Sequence, residues 1–124
     1  MNTEISRVKQ ILEEDESVIL AYLFGSRANG TANKRSDWDF GIYFKEDVLK
    51  KDCWHDLVLS AKLSRVLKSE AQIINLNKEI YPILGFETIK NNGPIVNKDE
   101  EKRLELENGL MRNYYDWLYY YNRR

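Results

Sequence analysis

With 124 residues and a mass of 14.7 kDa, the chain is long enough for one domain with one buried core, and a single domain over residues 1–124 is expected. Its 43% apolar and 31% charged residues are the composition of a folded chain, and a net charge of -1 excludes a globally basic nucleic-acid binder. One cysteine, Cys53, and one histidine, His55, exclude a disulfide framework, a multi-cysteine or multi-histidine metal site, and any mechanism that needs two histidines.

The start, Met1-Asn2-Thr3-Glu4, lacks the basic and apolar pattern of a leader. No apolar run approaches the ~18–20 residues of a membrane span. A cytoplasmic protein without membrane contact is expected.

Taken in chain order, Ile5, Val8, Ile11 and Leu12 recur at helical spacing and predict a helix over 3–14, capped by Asn2 or Thr3. The acidic cluster Glu13 to Glu16 reads as a solvated turn. Val18 to Phe24 is a continuous apolar run, rich in β-branched and aromatic residues, and predicts a strand buried on both faces. Residues 27–35 are small and polar and suit a short helical turn and a loop. Residues 36–45 alternate, with Asp37, Asp39, Gly41 and Tyr43 on one side and Trp38, Phe40, Ile42 and Phe44 on the other. That is the pattern of a half-buried strand.

A longer helix follows over 47–68. Trp54, Leu57, Val58, Ala61 and Arg65 form one stripe, which Leu59, Leu63, Val66 and Leu67 widen into a broad apolar face. Ala71 to Leu76 predicts a third strand. Residues 78–90 predict a helix, with Pro82 in its first turn. Asn91-Asn92-Gly93-Pro94 is a turn signal, and Ile95 to Asn97 a short edge strand. The last helix runs over 98–121, acidic at its start (Asp99, Glu100, Glu101) and followed by Arg123 and Arg124, a polarity that suits the helix dipole. The order α-β-β-α-β-α-β-α predicts an α/β domain, helices packed on a small sheet.

The chemistry concentrates between Gly25 and Asp39. Gly25 permits close backbone approach to a phosphate. Ser26 offers a hydroxyl, with backbone N–H groups after it, and Arg27 a charged fork. Asp37 and Asp39, two apart on a strand, project from one face ~7 Å apart at the Cα level. Two such oxygen donors suit Mg²⁺, which takes one or two carboxylates plus substrate phosphates. A nucleoside triphosphate fits this set of groups.

The run Gly25-Ser26-Arg27-Ala28-Asn29-Gly30-Thr31-Ala32, followed by Ser36-Asp37-Trp38-Asp39-Phe40, resembles the nucleotidyltransferase superfamily that includes DNA polymerase β and the aminoglycoside nucleotidyltransferases. Length and element order are most similar to the minimal nucleotidyltransferases of the MntA antitoxin type. The resemblance implies a small mixed sheet flanked by helices, in the α/β (α+β) class. It implies a HEPN-domain ribonuclease toxin (HepT type) as partner in a hetero-oligomer, with no direct contact to nucleic acid. It further implies Mg²⁺-dependent transfer of AMP from ATP to a toxin tyrosine. By that match Gly25 and Ser26 hold the triphosphate, and Asp37 and Asp39 are the catalytic metal ligands.

One departure stands out. The superfamily usually takes a third carboxylate from a neighbouring strand, and here the corresponding stretch is Ala71-Gln72-Ile73-Ile74-Asn75-Leu76, with amides at both acidic positions. That carboxylate can take the proton of the attacking hydroxyl, which an uncharged amide does poorly. Glu70 shares the strand parity of Gln72, one repeat of ~6.6 Å away. Two functions therefore stay open: an adenylyl-transferring antitoxin, and an impaired domain that neutralises a toxin by docking alone. Transfer to a small molecule such as an aminoglycoside ranks behind them, because the chain has no room for a drug-holding second domain.

Other residues read more plainly. His55 fits a helix surface, Cys53 a small core residue, Lys34-Arg35 a solvated loop, and Lys98 to Glu107 a solvated helix face. In the last helix, positions 110, 114, 117, 118 and 121 form a core stripe. Tyr115, Tyr119 and Tyr120 fall off it and are expected at a partner contact.

Overall fold

The computed structural model describes residues 3–25, 37–47, 54–91 and 93–122. Its elements are α1 (Thr3–Glu14), β1 (Val18–Phe24), β2 (Trp38–Phe44), α2 (His55–Leu67), β3 (Ala71–Asn75), α3 (Pro82–Ile89), β4 (Val96–Asn97) and α4 (Glu100–Asn122). The four strands form one mixed sheet in the order β3-β2-β1-β4. β2 runs antiparallel to β1 and parallel to β3, and β4 runs antiparallel to β1. The expected α/β class with a small mixed sheet is the observed one.

Both faces of the sheet are covered. On one, α1 and α2 bury Val8, Leu12, Leu59, Leu63 and Leu67 against Val18, Ala21, Trp38, Phe40, Ile42, Phe44, Ala71 and Val96. On the other, α3 and α4 lay Ile89, Leu106, Leu110 and Met111 over Leu20, Tyr22, Tyr43 and Leu76. β2 is therefore not the half-buried strand that its alternation predicts. Its polar-looking face is small or aromatic at Gly41 and Tyr43, and two helices close over it. Gly41 makes the approach possible: a Cβ there would overlap the Thr88 methyl of α3.

β1 is buried as expected, with an irregularity at its start. The register shifts between Val18 and Leu20, so Val18 faces the first core and Leu20 the second.

Local chemistry sets the helix boundaries. α3 starts at Pro82, four residues later than expected, with proline at its first position where a missing N–H costs nothing. α4 is capped by Asp99, whose carboxylate accepts from Lys102 N–H at 3.1 Å. α2 ends at Lys68, which adopts the left-handed conformation (φ 54°) and donates its N–H to Ser64 O. Lys98 is no bystander on a solvated face: its ammonium donates to the Asp15 carbonyl at 2.8 Å and to that of Leu12, closing the C-terminal end of α1.

The two apolar helix stripes need correction. In α2 the buried residues are Leu59, Leu63 and Leu67, while Trp54, Leu57, Val58, Ala61 and Arg65 face outward. In α4 no residue is buried. Its second half carries a ladder of stacked rings from Phe86 of α3 to Tyr114 (4.1 Å), Trp117 and Tyr121, but Tyr121 remains 65% exposed and is not core. Tyr115, Tyr119 and Tyr120 are exposed, as expected.

His55 and the acidic turn also differ from expectation. The Asp15 carboxylate accepts from the Ser17 N–H at 2.9 Å and from its hydroxyl, and the His55 ring Nε2 lies 2.6 Å from Ser17 Oγ and 3.2 Å from Asp15 Oδ2. His55 packs edge-on against Phe44. Burial works to raise the Asp15 pKa, but the Ser17 hydrogen bonds and the nearby ring outweigh it and hold the carboxyl below its ordinary value. Ser17 is buried and donates to Asp15, so the cluster ties the α1–β1 turn to α2 and presents no nucleophile.

Candidate active site

The aspartates sit where sheet pairing puts them. Trp38 is buried in the first core and stacks on Phe40 at 6.3 Å. That anchor turns its neighbours Asp37 and Asp39 to the opposite face, at the start of β2. Asp39 is half-buried and Asp37 exposed. Phe24, the last residue of β1, is the cross-strand partner of Asp39, so Gly25 follows directly beside the carboxylate.

Gly25 is required twice over. Its φ of +78° lies in the left-handed region, and a Cβ built on it would stand 2.6 Å from Asp39 Oδ2. The chain turns tightly against the carboxylate, so backbone and Asp39 share one small space. Ser26 and Arg27, expected to hold phosphate, lie outside the described residues, as do Lys34, Arg35 and Cys53.

Burial raises the Asp39 pKa, and the Asp37 charge raises it further. Two carboxylates crowded at the edge of a low-dielectric core repel each other, and a divalent cation between them would relieve that repulsion. The donor set thus fits Mg²⁺. Among the described residues, no group of three or more His, Cys, Asp or Glu side chains converges as a metal cage.

On the other side of β2, Gln72 of β3 is in parallel register with Asp39, which places the two side chains on the same face at neighbouring positions. An exposed, uncharged amide therefore stands beside the half-buried aspartate. Trp38 N–H donates to Glu70 O at 2.9 Å, so pairing extends one residue further and brings Glu70 level with Asp37. Asn75 has the opposite parity and takes no part. It is buried at the far end of β3, where its carboxamide oxygen accepts from Asn77 N–H at 2.9 Å.

Sequence reasoning missed the support on the second face. Tyr22, in the middle of β1, is fully buried and donates to Glu107 of α4 at 2.7 Å. Burial and the Glu107 carboxylate push its pKa far above the ordinary range, so it stays a donor. Arg103 donates to both Glu107 oxygens at 3.2 Å and also pairs with Glu100. This network pins α4 across the strand pair that carries Asp39. The one signal was the Arg103–Glu107 spacing of four residues.

The direction of α4 follows from its contacts. Lys102 lies over the Tyr43 ring at 5.3 Å and Glu107 reaches Tyr22, the cross-strand partner of Gly41. At ~1.5 Å per residue the helix thus advances toward the Asp39 end of β2, and the tyrosines beyond position 113 lie past that end.

Comparison with known proteins places this arrangement. The family model described as polymerase beta, nucleotidyltransferase matches residues 6–101. No curated protein matches the chain. Among solved structures, a toxin–antitoxin complex with AMP-PNP matches at 19% identity and a TM-score of 0.73, over 94% of this chain and 90% of that one. The toxin–antitoxin MntA–HepT matches at 16% identity and a TM-score of 0.68, over 92% and 86%. The tri-AMPylated Shewanella oneidensis HEPN toxin in complex with MNT antitoxin matches at 14% identity and a TM-score of 0.65, again over 92% and 86%. At these identities the likeness is one of fold.

Proposed function

The chain belongs to the polymerase beta nucleotidyltransferase family, and from that membership we propose that it is the antitoxin of a toxin–antitoxin pair. Its partner is a HEPN-domain toxin of the HepT type, to a tyrosine of which it transfers AMP from ATP. The observation that carries this reading is the Asp37–Asp39 pair, set on one strand face against Gly25 with Asp39 crowded by burial and by its neighbour. The solved structures of similar fold that include HEPN toxins support the choice of partner.

In this reading Asp37 and Asp39 hold Mg²⁺, which when bound supplies charge stabilisation at the triphosphate. Gly25 leaves room for the phosphates, and Ser26 and Arg27 bind them. The tyrosine oxygen attacks the α-phosphorus, the bond to the β-phosphate oxygen breaks, and pyrophosphate leaves. Gln72, level with Asp39, cannot take the phenolic proton as a carboxylate would, so that proton leaves to solvent and transfer is slow. Tyr115, Tyr119 and Tyr120 contact the partner. The whole chain acts as one domain in the cytoplasm; among the described residues no helix is long and apolar enough to cross a membrane.

The second reading, neutralisation by docking alone, is favoured by the same Gln72. One experiment separates them: label from α-labelled ATP with Mg²⁺ is followed onto the HEPN-domain protein encoded with this chain. Transfer by the wild type should fall at least ~100-fold in Asp37→Asn and Asp39→Asn, since even loss of a group supporting a metal ligand costs ~10–100-fold. Gln72→Glu should raise the rate, by up to ~100-fold if it supplies a general base. A complex that forms without label in the wild type and in Gln72→Glu would leave docking as the function.

A further inference from the structure

One face of α4 runs past the sheet it packs on. Leu110, Tyr114, Trp117 and Tyr121 share that face by their i, i+4, i+7, i+11 spacing. Leu110 packs in the second core, Tyr114 stacks on Phe86 of α3 at 4.1 Å, and Trp117 stacks on Tyr114 at 6.3 Å. This is the inner side of the helix. Tyr121 continues it and rests on Trp117 at 5.1 Å, yet it is 65% exposed. A ring on the inner side with so little cover overhangs the end of the domain. Tyr115, Tyr119 and Tyr120, the proposed partner contacts, fall off this face.

The inner face of α4 and the aspartates share one side and one end of the sheet. Asp39 has the strand parity of Gly41 and Tyr43. Tyr43, and Tyr22 as the cross-strand partner of Gly41, belong to the core that α4 covers. Lys102 stands at Tyr43 and Glu107 at Tyr22, so five helix residues cover two strand positions. Asp39 lies two positions further and is level with Arg112 by the same count. Tyr114 is then ~3 Å past Asp39, and Tyr121 ~14 Å past it.

That gap is within reach of the tail. Tyr114 is the ring that ties α4 to Phe86. The seven residues from it to Tyr121 span up to ~24 Å when extended. No residue of α4 is buried, so letting out its last two turns uncovers no core and carries the Tyr121 hydroxyl back over Asp39. A short tether of this kind holds an acceptor at millimolar effective concentration.

We propose that Tyr121 is an acceptor within the chain itself: without its partner, the protein transfers AMP from ATP to its own Tyr121. The proposal rests on the AMP-transfer reading above. The Tyr121 phenolic oxygen attacks the α-phosphorus and forms the new P–O bond. The bond from that phosphorus to the bridging β-phosphate oxygen breaks, pyrophosphate leaves, and the phenolic proton goes to solvent.

The test incubates the full-length chain alone with Mg²⁺ and α-labelled ATP and maps the label by peptide mass spectrometry. The label should sit on Tyr121, and Asp39→Asn should lower it at least ~100-fold. Its rate per chain should not change on ~10-fold dilution, because the acceptor is tethered. Tyr121→Phe keeps the ring and removes the hydroxyl. It should lower self-labelling at least ~10-fold, leave the melting temperature within about 2 °C of the wild type, and leave transfer to the HEPN-domain protein unchanged. Transfer to the HEPN-domain protein with no label on the chain would overturn this inference alone. So would self-labelling that persists in Tyr121→Phe, or that slows on dilution, since a second copy would then be the acceptor. Label on Tyr121 with none on the HEPN-domain protein would support this inference and remove the toxin-tyrosine reading. No label on either protein would remove both.

Discussion

Asp39 is held at odds with its surroundings. Burial and Asp37 both raise its pKa, so the folded chain binds its proton more tightly than the unfolded chain does. For a carboxyl shifted upward, the stabilising contribution is complete below the unfolded value near 3.8 and is lost as pH rises through the folded value. At neutral pH without metal, the ionised side chain is therefore a burden on the fold. Asp39→Asn should raise the metal-free melting temperature by about 1–5 °C. Mg²⁺ should raise the melting temperature of the wild type and leave that of Asp39→Asn unmoved. Acidification should weaken Mg²⁺ binding, beginning at a higher pH than for an ordinary carboxylate. A lower melting temperature for Asp39→Asn, with Mg²⁺ still stabilising it, would contradict this account.

At the scale of elements, the closest approach is that of α3 to β2, where Gly41 faces the Thr88 methyl. Thr88 is stiff and buried, and its hydroxyl donates to Leu84 O at 2.8 Å, so it cannot easily turn away. Gly41→Ala should cost about 1–3 kcal/mol by overpacking, read as a drop of several degrees in a thermal melt. Adding Thr88→Ser, which removes the methyl and keeps the hydroxyl, should restore part of the loss. No recovery in the double variant would mean that the strain lies elsewhere. The sequence made most elements legible, because strand and helix periods are local. It could not choose between the two apolar stripes of α2, since Leu59, Leu63 and Leu67 compete with Trp54, Leu57 and Val58 and only the position of β3 decides. Nor could it reveal that Gly41 and Tyr43 are covered, because the cover comes from residues 82–111. The meeting of Ser17 and His55, 38 positions apart, has no local signal at all. The aspartate pair, by contrast, could be read directly, since strand parity alone puts 37 and 39 on one face. Their neighbour Gln72 needed the parallel register of β3, which parity cannot supply.

For the whole molecule, the two cores divide the work unequally. The α1–α2 side is a broad apolar layer, while the α3–α4 side combines fewer fully buried side chains with the Tyr22–Glu107–Arg103 network. The aromatic end of α4 lies toward the aspartate end of the sheet, whereas the start of α2 lies at the opposite end, where His55 packs on Phe44 and meets the same Asp15 whose carbonyl Lys98 clasps.

The length of α4 has a consequence for how the chain opens. Glu100–Asn122 is 23 residues, but its contacts with the sheet end near Met111, and its last turns rest on ring stacking with Phe86 and one another. Unravelling those turns exposes little that was dry, so their local opening free energy is far below that of β1 and β2. In native-state hydrogen exchange, amides of residues 115–122 should lose their protons at least ~100-fold faster than those of Ala21 and Ile42. Uniform protection along α4 would show that the helix opens only with the whole chain. The tail is thus the part of the molecule that ordering by a partner would slow most.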